Sequence, residues 1–72
     1  MRKKIENQVQ NINDILDINK ANKKYQVCWY NKKTFLSFVD KNDYSCHVIE
    51  QVKNNRDANH YLAGLRIGLT LI

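Results

Sequence analysis

Tyr25-Gln26-Val27-Cys28-Trp29-Tyr30-Asn31-Lys32-Lys33-Thr34-Phe35-Leu36-Ser37-Phe38-Val39 is the stretch that decides the fold. Its period is two. Tyr25, Val27 and Trp29 alternate with Gln26, Cys28 and Tyr30, the pattern of a strand with two unlike faces. Asn31-Lys32-Lys33 then interrupts the run as a turn. The next segment, Thr34 to Val39, carries Leu36 and Phe38 on one face and Phe35 and Val39 on the other. A strand apolar on both sides belongs in the middle of a sheet. Asp40-Lys41-Asn42-Asp43 supplies a second turn, because Asn and Asp bond their own backbone and tolerate left-handed φ. Tyr44 to Val52 alternates again, giving a three-stranded antiparallel meander over residues 25–52.

Upstream the period changes. Ile5, Val9, Ile12 and Leu16 are spaced four, three and four residues apart, with Ile15 and Ile18 widening the stripe. This predicts an amphipathic helix over residues 2–22, about 30 Å long. Its polar face reads Asn7, Gln10, Asn13, Asp14 and Asp17. The spacing is also that of a coiled-coil seam, so Ile5, Val9, Ile12 and Leu16 are candidates either for the core or for contact with a partner or a second copy.

Downstream, Asn54 is a good N-cap with Asp57 three residues on, a variant of the capping box. Ala58, Tyr61, Leu62, Leu65, Leu69 and Ile72 follow as one apolar face, predicting a helix over residues 55–71. The chain is therefore expected to be a single α+β domain, 1–72, of order α-β-β-β-α. Both helices pack on one face of the meander.

The only two glycines, Gly64 and Gly68, lie inside this last helix, and there is no proline. A glycine in a helix interior costs about 1 kcal/mol against alanine. In a domain this small, that cost implies a closely approaching backbone. Gly64 and Gly68 are thus candidate contacts with the first helix, with the sheet or with a second copy.

The segment Asn55-Arg56-Asp57-Ala58-Asn59-His60-Tyr61-Leu62-Ala63-Gly64-Leu65-Arg66-Ile67-Gly68-Leu69 resembles the close of small proteins encoded by phages and mobile elements of low-GC Gram-positive bacteria. In these an Arg-Glu-Ala-like start precedes Tyr-Leu-x-Gly-Leu-x-x-Gly-Leu. Here Asp57 stands at the Glu position, and the likeness is confined to the last quarter of the chain. Ten Asn, nine Lys and seven Ile fit the AT-rich codon usage of such genomes. The resemblance implies a short accessory protein that binds a host or phage protein, such as a defence complex, and inhibits or modulates it. It transfers no site residues.

Twelve Lys and Arg against seven Asp and Glu give a net charge of +5, which favours polyanions or acidic proteins. Lys23, Lys24, Trp29, Tyr30, Lys32 and Lys33 interleave cations and aromatics on the first hairpin. They form a candidate nucleic-acid surface in which lysines meet phosphates and rings stack on bases. The competing reading buries Trp29 under the helices. Membrane-surface binding by the first helix is disfavoured by its Asn-, Gln- and Asp-rich polar face.

Catalysis has little to work with. Cys28, Cys46, His47 and His60 are the usual nucleophiles and bases, and Cys46 and His47 are strand neighbours that point to opposite faces. No glycine-rich phosphate loop exists, and the cysteine spacing fits no zinc motif. No enzyme activity, metal or cofactor is expected. With two cysteines, no continuous apolar leader and no run long enough to span a bilayer, a reduced cytoplasmic protein is expected. Its expected partners are a protein, a second copy in a homodimer and, as the alternative, nucleic acid.

Overall fold

The computed structural model describes residues 2–70. Its elements are α1 (Arg2–Ile18), β1 (Lys23–Tyr30), β2 (Lys33–Asp40), β3 (Cys46–Val48) and α2 (Asn55–Thr70). The α-β-β-β-α order is as the periodicities predict. The strands form one antiparallel sheet in the order β1-β2-β3, with β2 in the centre.

Register fixes the two faces. Tyr25 pairs with Phe38, Val27 with Leu36 and Trp29 with Thr34, and residues directly opposite one another share a face. This is the face the helices cover. Tyr25, Leu36 and the α1 seam residues Ile5, Val9, Ile12 and Leu16 are buried together with Ala58 and Leu62 of α2. Ile5, Ile12, Leu36 and Leu62 are the largest fully buried side chains, each stabilising the fold by roughly 1.5–3 kcal/mol. Tyr61, Leu65 and Leu69 are partly buried against this core, and Ile72 lies outside the described residues.

Three boundaries differ from the sequence reading. α1 stops at Ile18 rather than near residue 22, because a Schellman cap closes it. Lys20 takes a left-handed φ of 55°. Its N–H reaches the Asp17 carbonyl at 3.0 Å, and the Ala21 N–H reaches that of Leu16 at 2.9 Å. Ile18, placed on the apolar stripe by spacing, is 80% exposed beyond the last core contact. The first hairpin turn is the two-residue Asn31-Lys32, with φ of 51° and 61° as a type I′ turn requires, so Lys33 belongs to β2.

The third difference is larger. β3 covers only Cys46–Val48, not residues 44–52. The Ile49 N–H still bonds the Leu36 carbonyl at 2.9 Å, but a turn then brings the Val52 N–H to the Ile49 carbonyl at 3.1 Å. The Lys53 carbonyl rejoins β2 at the Thr34 N–H, 3.2 Å away. The chain leaves the sheet edge after Ile49 and returns at Lys53. Ile49 and Val52 are both buried, so the excursion brings into the core two side chains that a straight strand would turn to opposite faces.

The helix start is as expected. The Asp57 N–H donates to Asn54 Oδ1 at 2.8 Å, and Asp57 Oδ2 accepts from the Lys53 N–H at 3.2 Å.

Asn13 departs from its assigned polar face. It is buried, its Oδ1 accepting from the Tyr25 N–H at 2.8 Å and its Nδ2 donating to the Tyr25 carbonyl at 2.9 Å. Both backbone groups of Tyr25 therefore point away from β2, toward the open edge of β1. The amide of Asn13 pairs with them as a neighbouring strand would. Substituting Asn13→Ala should lower stability by about 2 kcal/mol, since a buried N–H and a buried carbonyl lose their partners together. Urea unfolding measures this, and a loss below about 0.5 kcal/mol would be incompatible with a structural clamp.

Burial beside the core, followed by the neighbouring Tyr61, raises the ionisation of the Tyr25 hydroxyl above its ordinary 10.0. The folded state holds this proton more tightly than the unfolded one. Its contribution is thus fully present below about pH 10 and is lost as pH rises through the folded value. Urea midpoints across about pH 8 to 11 should fall at the alkaline end, and Tyr25→Phe should flatten that limb.

Candidate interface on the open sheet face

The helices cover one side of the sheet only. By register, the other side carries Lys24, Gln26, Cys28 and Tyr30 from β1, Lys33, Phe35, Ser37 and Val39 from β2, and Cys46 and Val48 from β3. No secondary element lies over it among the described residues. Tyr30 is 71% exposed and Val48 55%, while Phe35 and Val39 are half-buried. Gln26 Nε2 reaches across the face to Cys46 Sγ at 3.8 Å. An antiparallel sheet with one solvated face usually alternates cleanly to polar residues there. This one keeps Tyr30, Phe35, Val39 and Val48 on the uncovered side.

The excursion after β3 adds relief to this face. Where the chain swings away from β2, Phe35, Val48, Ile49 and Val52 line an apolar groove of about 400 Å³, with Lys33, Lys53 and Glu50 at its rim. The groove follows directly from the shortness of β3. A partner's apolar side chain would find there a concave seat that a continuous strand would have filled. The sequence reading, with β3 drawn to Val52, had no means of finding it.

The candidate residues sort differently from the expectation. Ile5, Val9, Ile12 and Leu16 are 0–7% exposed within the chain's own core, so the seam is not a surface to which a partner helix has access. Gly64 and Gly68 are exposed, and beyond its own stretch of helix a Cβ at either would meet no atom within 4 Å. Neither packs closely on α1 or on the sheet.

The hairpin cations and aromatics do not form one surface. Lys24, Tyr30 and Lys33 lie on the open face, Lys23 and Trp29 on the helix side, and Lys32 in the turn. Trp29 is half-buried, its Nε1 donating to Asn55 Oδ1 at 2.6 Å, and the Arg2 guanidinium stands 5.0 Å from its ring centroid. The ring is thus engaged within the chain instead of free to stack. The Lys23 ammonium similarly lies 4.9 Å over Phe38. These residues form no single stacking platform.

Cys28 and Cys46 are free and exposed on the same face. β2 separates their strands by two spacings of about 4.8 Å, too far for a disulfide. His47 turns to the helix side and stacks on Phe38 at 5.0 Å. Its Nε2 is 2.9 Å from Ser45 Oγ, and Ser45 Oγ donates to Asp43 Oδ1 at 2.7 Å. With the serine proton committed to Asp43, the imidazole N–H must supply the other bond, so the histidine does not activate the hydroxyl. The Ser45 hydroxyl and backbone N–H, followed by His47, hold the Asp43 carboxyl below its ordinary range, which marks this as a turn brace. Lys41 does the same for Asp17 through a 2.8 Å salt bridge, tying the second turn to the end of α1.

No group of three or more His, Cys, Asp or Glu residues among those described could hold a metal ion. No described helix is long and apolar enough to cross a membrane.

Compared with protein-family models, curated proteins and solved structures, the chain finds no match in any of the three.

The empty surroundings of the glycines make a direct prediction. Gly64→Ala and Gly68→Ala should each stabilise the protein by about 1 kcal/mol, the helix-propensity difference alone. Thermal or urea unfolding reads it. A destabilised alanine variant would mean that the free chain does pack something against this face.

Proposed function

We propose that the chain is a non-catalytic binding module that docks its open sheet face on a protein partner and acts by covering that partner's surface. The observation that carries this reading is the half-covered sheet. Phe35, Val39, Val48 and Tyr30 remain on the side without helices, next to an apolar groove. Apolar side chains with an adjoining pocket are what the centre of a protein interface requires. Lys24 and Lys33 border the face, and the chain carries +5 overall, so the matching partner surface is apolar at its centre and acidic at its rim. The resemblance of the last helix to small phage and mobile-element proteins gives this activity a setting. There, occlusion of a host or phage protein, including a defence complex, would inhibit or modulate it.

A second copy is the other occupant to weigh. Two lysine-bordered faces of like charge oppose self-association through the sheet, and the α1 seam that motivated a coiled-coil dimer is buried. Self-association would then fall to the exposed Gly64, Ile67 and Gly68 of α2. Light scattering over a concentration series decides this, with a constant mass of 8.5 kDa expected for the monomer.

Val48→Asp is the sharper test of the interface, because Val48 is 55% exposed and its substitution leaves the core intact. The variant should fold as the parent does by circular dichroism. It should lose nuclease-resistant partners in a pull-down from host lysate, with affinity for a purified partner falling about tenfold or more. Equal retention by parent and variant would remove the open face from consideration.

A further inference from the structure

The helix side of the molecule holds a second feature at the end opposite to the Asp40–Asp43 turn. Arg2 stands over Trp29, and the Trp29 indole bonds Asn55, so α1 and α2 both begin beside the Asn31-Lys32 turn. Asn13 of α1 pairs with Tyr25, and Tyr61 of α2 neighbours the same residue. The two helices therefore run in the same sense along β1. Their positive dipole ends coincide.

Between those ends and the turn lies a cleft of about 480 Å³, lined by Arg2, Trp29, Lys32, Thr34, Asn54, Asn55 and Arg56. Its lining holds three cations and no carboxylate. None of the three forms a salt bridge among the described residues. The nearest acid along α2, Asp57, accepts the Lys53 N–H as part of the cap. Lys3 and Lys4 follow Arg2 in a first turn of α1 that contains no acidic residue. Cations at a helix N-terminus oppose the helix dipole, so this end carries like charge that the fold itself does not neutralise.

Asn55 adds a directed donor. Its Oδ1 accepts from the Trp29 indole at 2.6 Å and from the Thr34 hydroxyl at 2.7 Å. An indole N–H can only donate, so the amide oxygen must face it and the amide nitrogen must face away. That nitrogen donates to no group among the described residues.

The geometry points to a phosphate-binding cleft that clamps the backbone of a nucleic-acid strand through Arg2, Lys32, Arg56 and the Asn55 amide. The charge extends past the cleft along Lys3 and Lys4, which suits a chain of phosphates better than one isolated anion. The ring of Trp29 is already held by Arg2 and Asn55, so the contact reads phosphates without stacking on bases. Binding is expected to be independent of sequence. This cleft lies on the helix side and does not rest on the open sheet face being a protein interface; the two surfaces could be occupied together.

Trp29 is the only tryptophan, so its fluorescence reports on the cleft directly. The intact protein is titrated with fluorescein-labelled mixed-sequence 20-nucleotide DNA, single strand and duplex, reading anisotropy and, with unlabelled DNA, Trp29 emission. Arg56→Gln combined with Lys32→Gln removes two exposed cations from the cleft. Lys20→Gln combined with Arg66→Gln removes the same charge elsewhere. The cleft variant should bind at least about fivefold more weakly and lower the logarithmic salt slope by about 2, with the control changing affinity less than about twofold. The Trp29 response should accompany binding by the parent and the control.

Failure of both DNA forms to bind the parent would overturn the proposal. Equal losses in the two variants would do so too, by showing attraction to net charge alone. A Trp29 response to inorganic phosphate, or to phosphatidylserine–phosphatidylcholine vesicles, as strong as the response to DNA at equal phosphate concentration would also overturn it, by assigning the cleft to another ligand.

Discussion

The arrangement of the domain depends on one side chain acting as a strand. Asn13 presents an acceptor and a donor to the two outward-facing backbone groups of Tyr25. An edge strand with unpaired groups is a template for another chain, and proteins usually blunt it with charge, bulges or a covering element. Here α1 covers it, and the Asn13 amide makes the cover specific. The pairing fixes both where α1 lies along β1 and how it is rotated. That rotation turns Ile5, Val9, Ile12 and Leu16 onto Tyr25 and Leu36. With one edge closed and one face filled, the remaining exposure of the sheet is confined to its other face and to the margin near β3.

The two candidate surfaces therefore share an origin. Both helices sit on one side because the seam of α1 and the Ala58–Leu62 face of α2 bury against the same alternate residues of β1 and β2. That leaves the opposite residues open and apolar. The same packing starts both helices at the hairpin turn, which concentrates cations at one end. One surface is apolar with a lysine border, and the other is a polar cleft with three cations. Their chemistries differ, and so do the partners each fits.

The class and order of the fold were legible because they rest on period. Alternation through residues 25–39 places Trp29 and Leu36 on one face, and the Asn54–Asp57 spacing marks the start of α2. Asn13 was not legible, because a polar residue is worth burying only where a backbone edge happens to meet it. The true end of α1 was hidden for a related reason. A Schellman cap normally announces itself by glycine, and here Lys20 adopts the left-handed conformation instead. β3 misled because Ile49 and Val52 are core residues reached through a turn, which a strand template reads as continued alternation. The open face was implicit in Phe35 and Val39, but the groove and the cationic cleft arise from residues far apart in the chain. Nothing in the local pattern joins Arg2 to Arg56.

The glycines stand where no conformation calls for them, while Lys20, Asn31, Lys32 and Tyr44 supply every left-handed position in the described backbone. α2 is held unevenly along its length. Its first two turns are anchored by Ala58 and Leu62, both fully buried, and by the Asn54 cap. Among the described residues beyond Leu62, only Leu65 and Leu69 touch the core, and a glycine of low helix propensity directly precedes each. Opening this half exposes little apolar area and releases backbone entropy at both glycines. Amide protection along α2 is accordingly expected to be graded, strongest near the cap and falling toward Thr70. The helix is a firm anchor at the cationic end and a loosely held arm at the other.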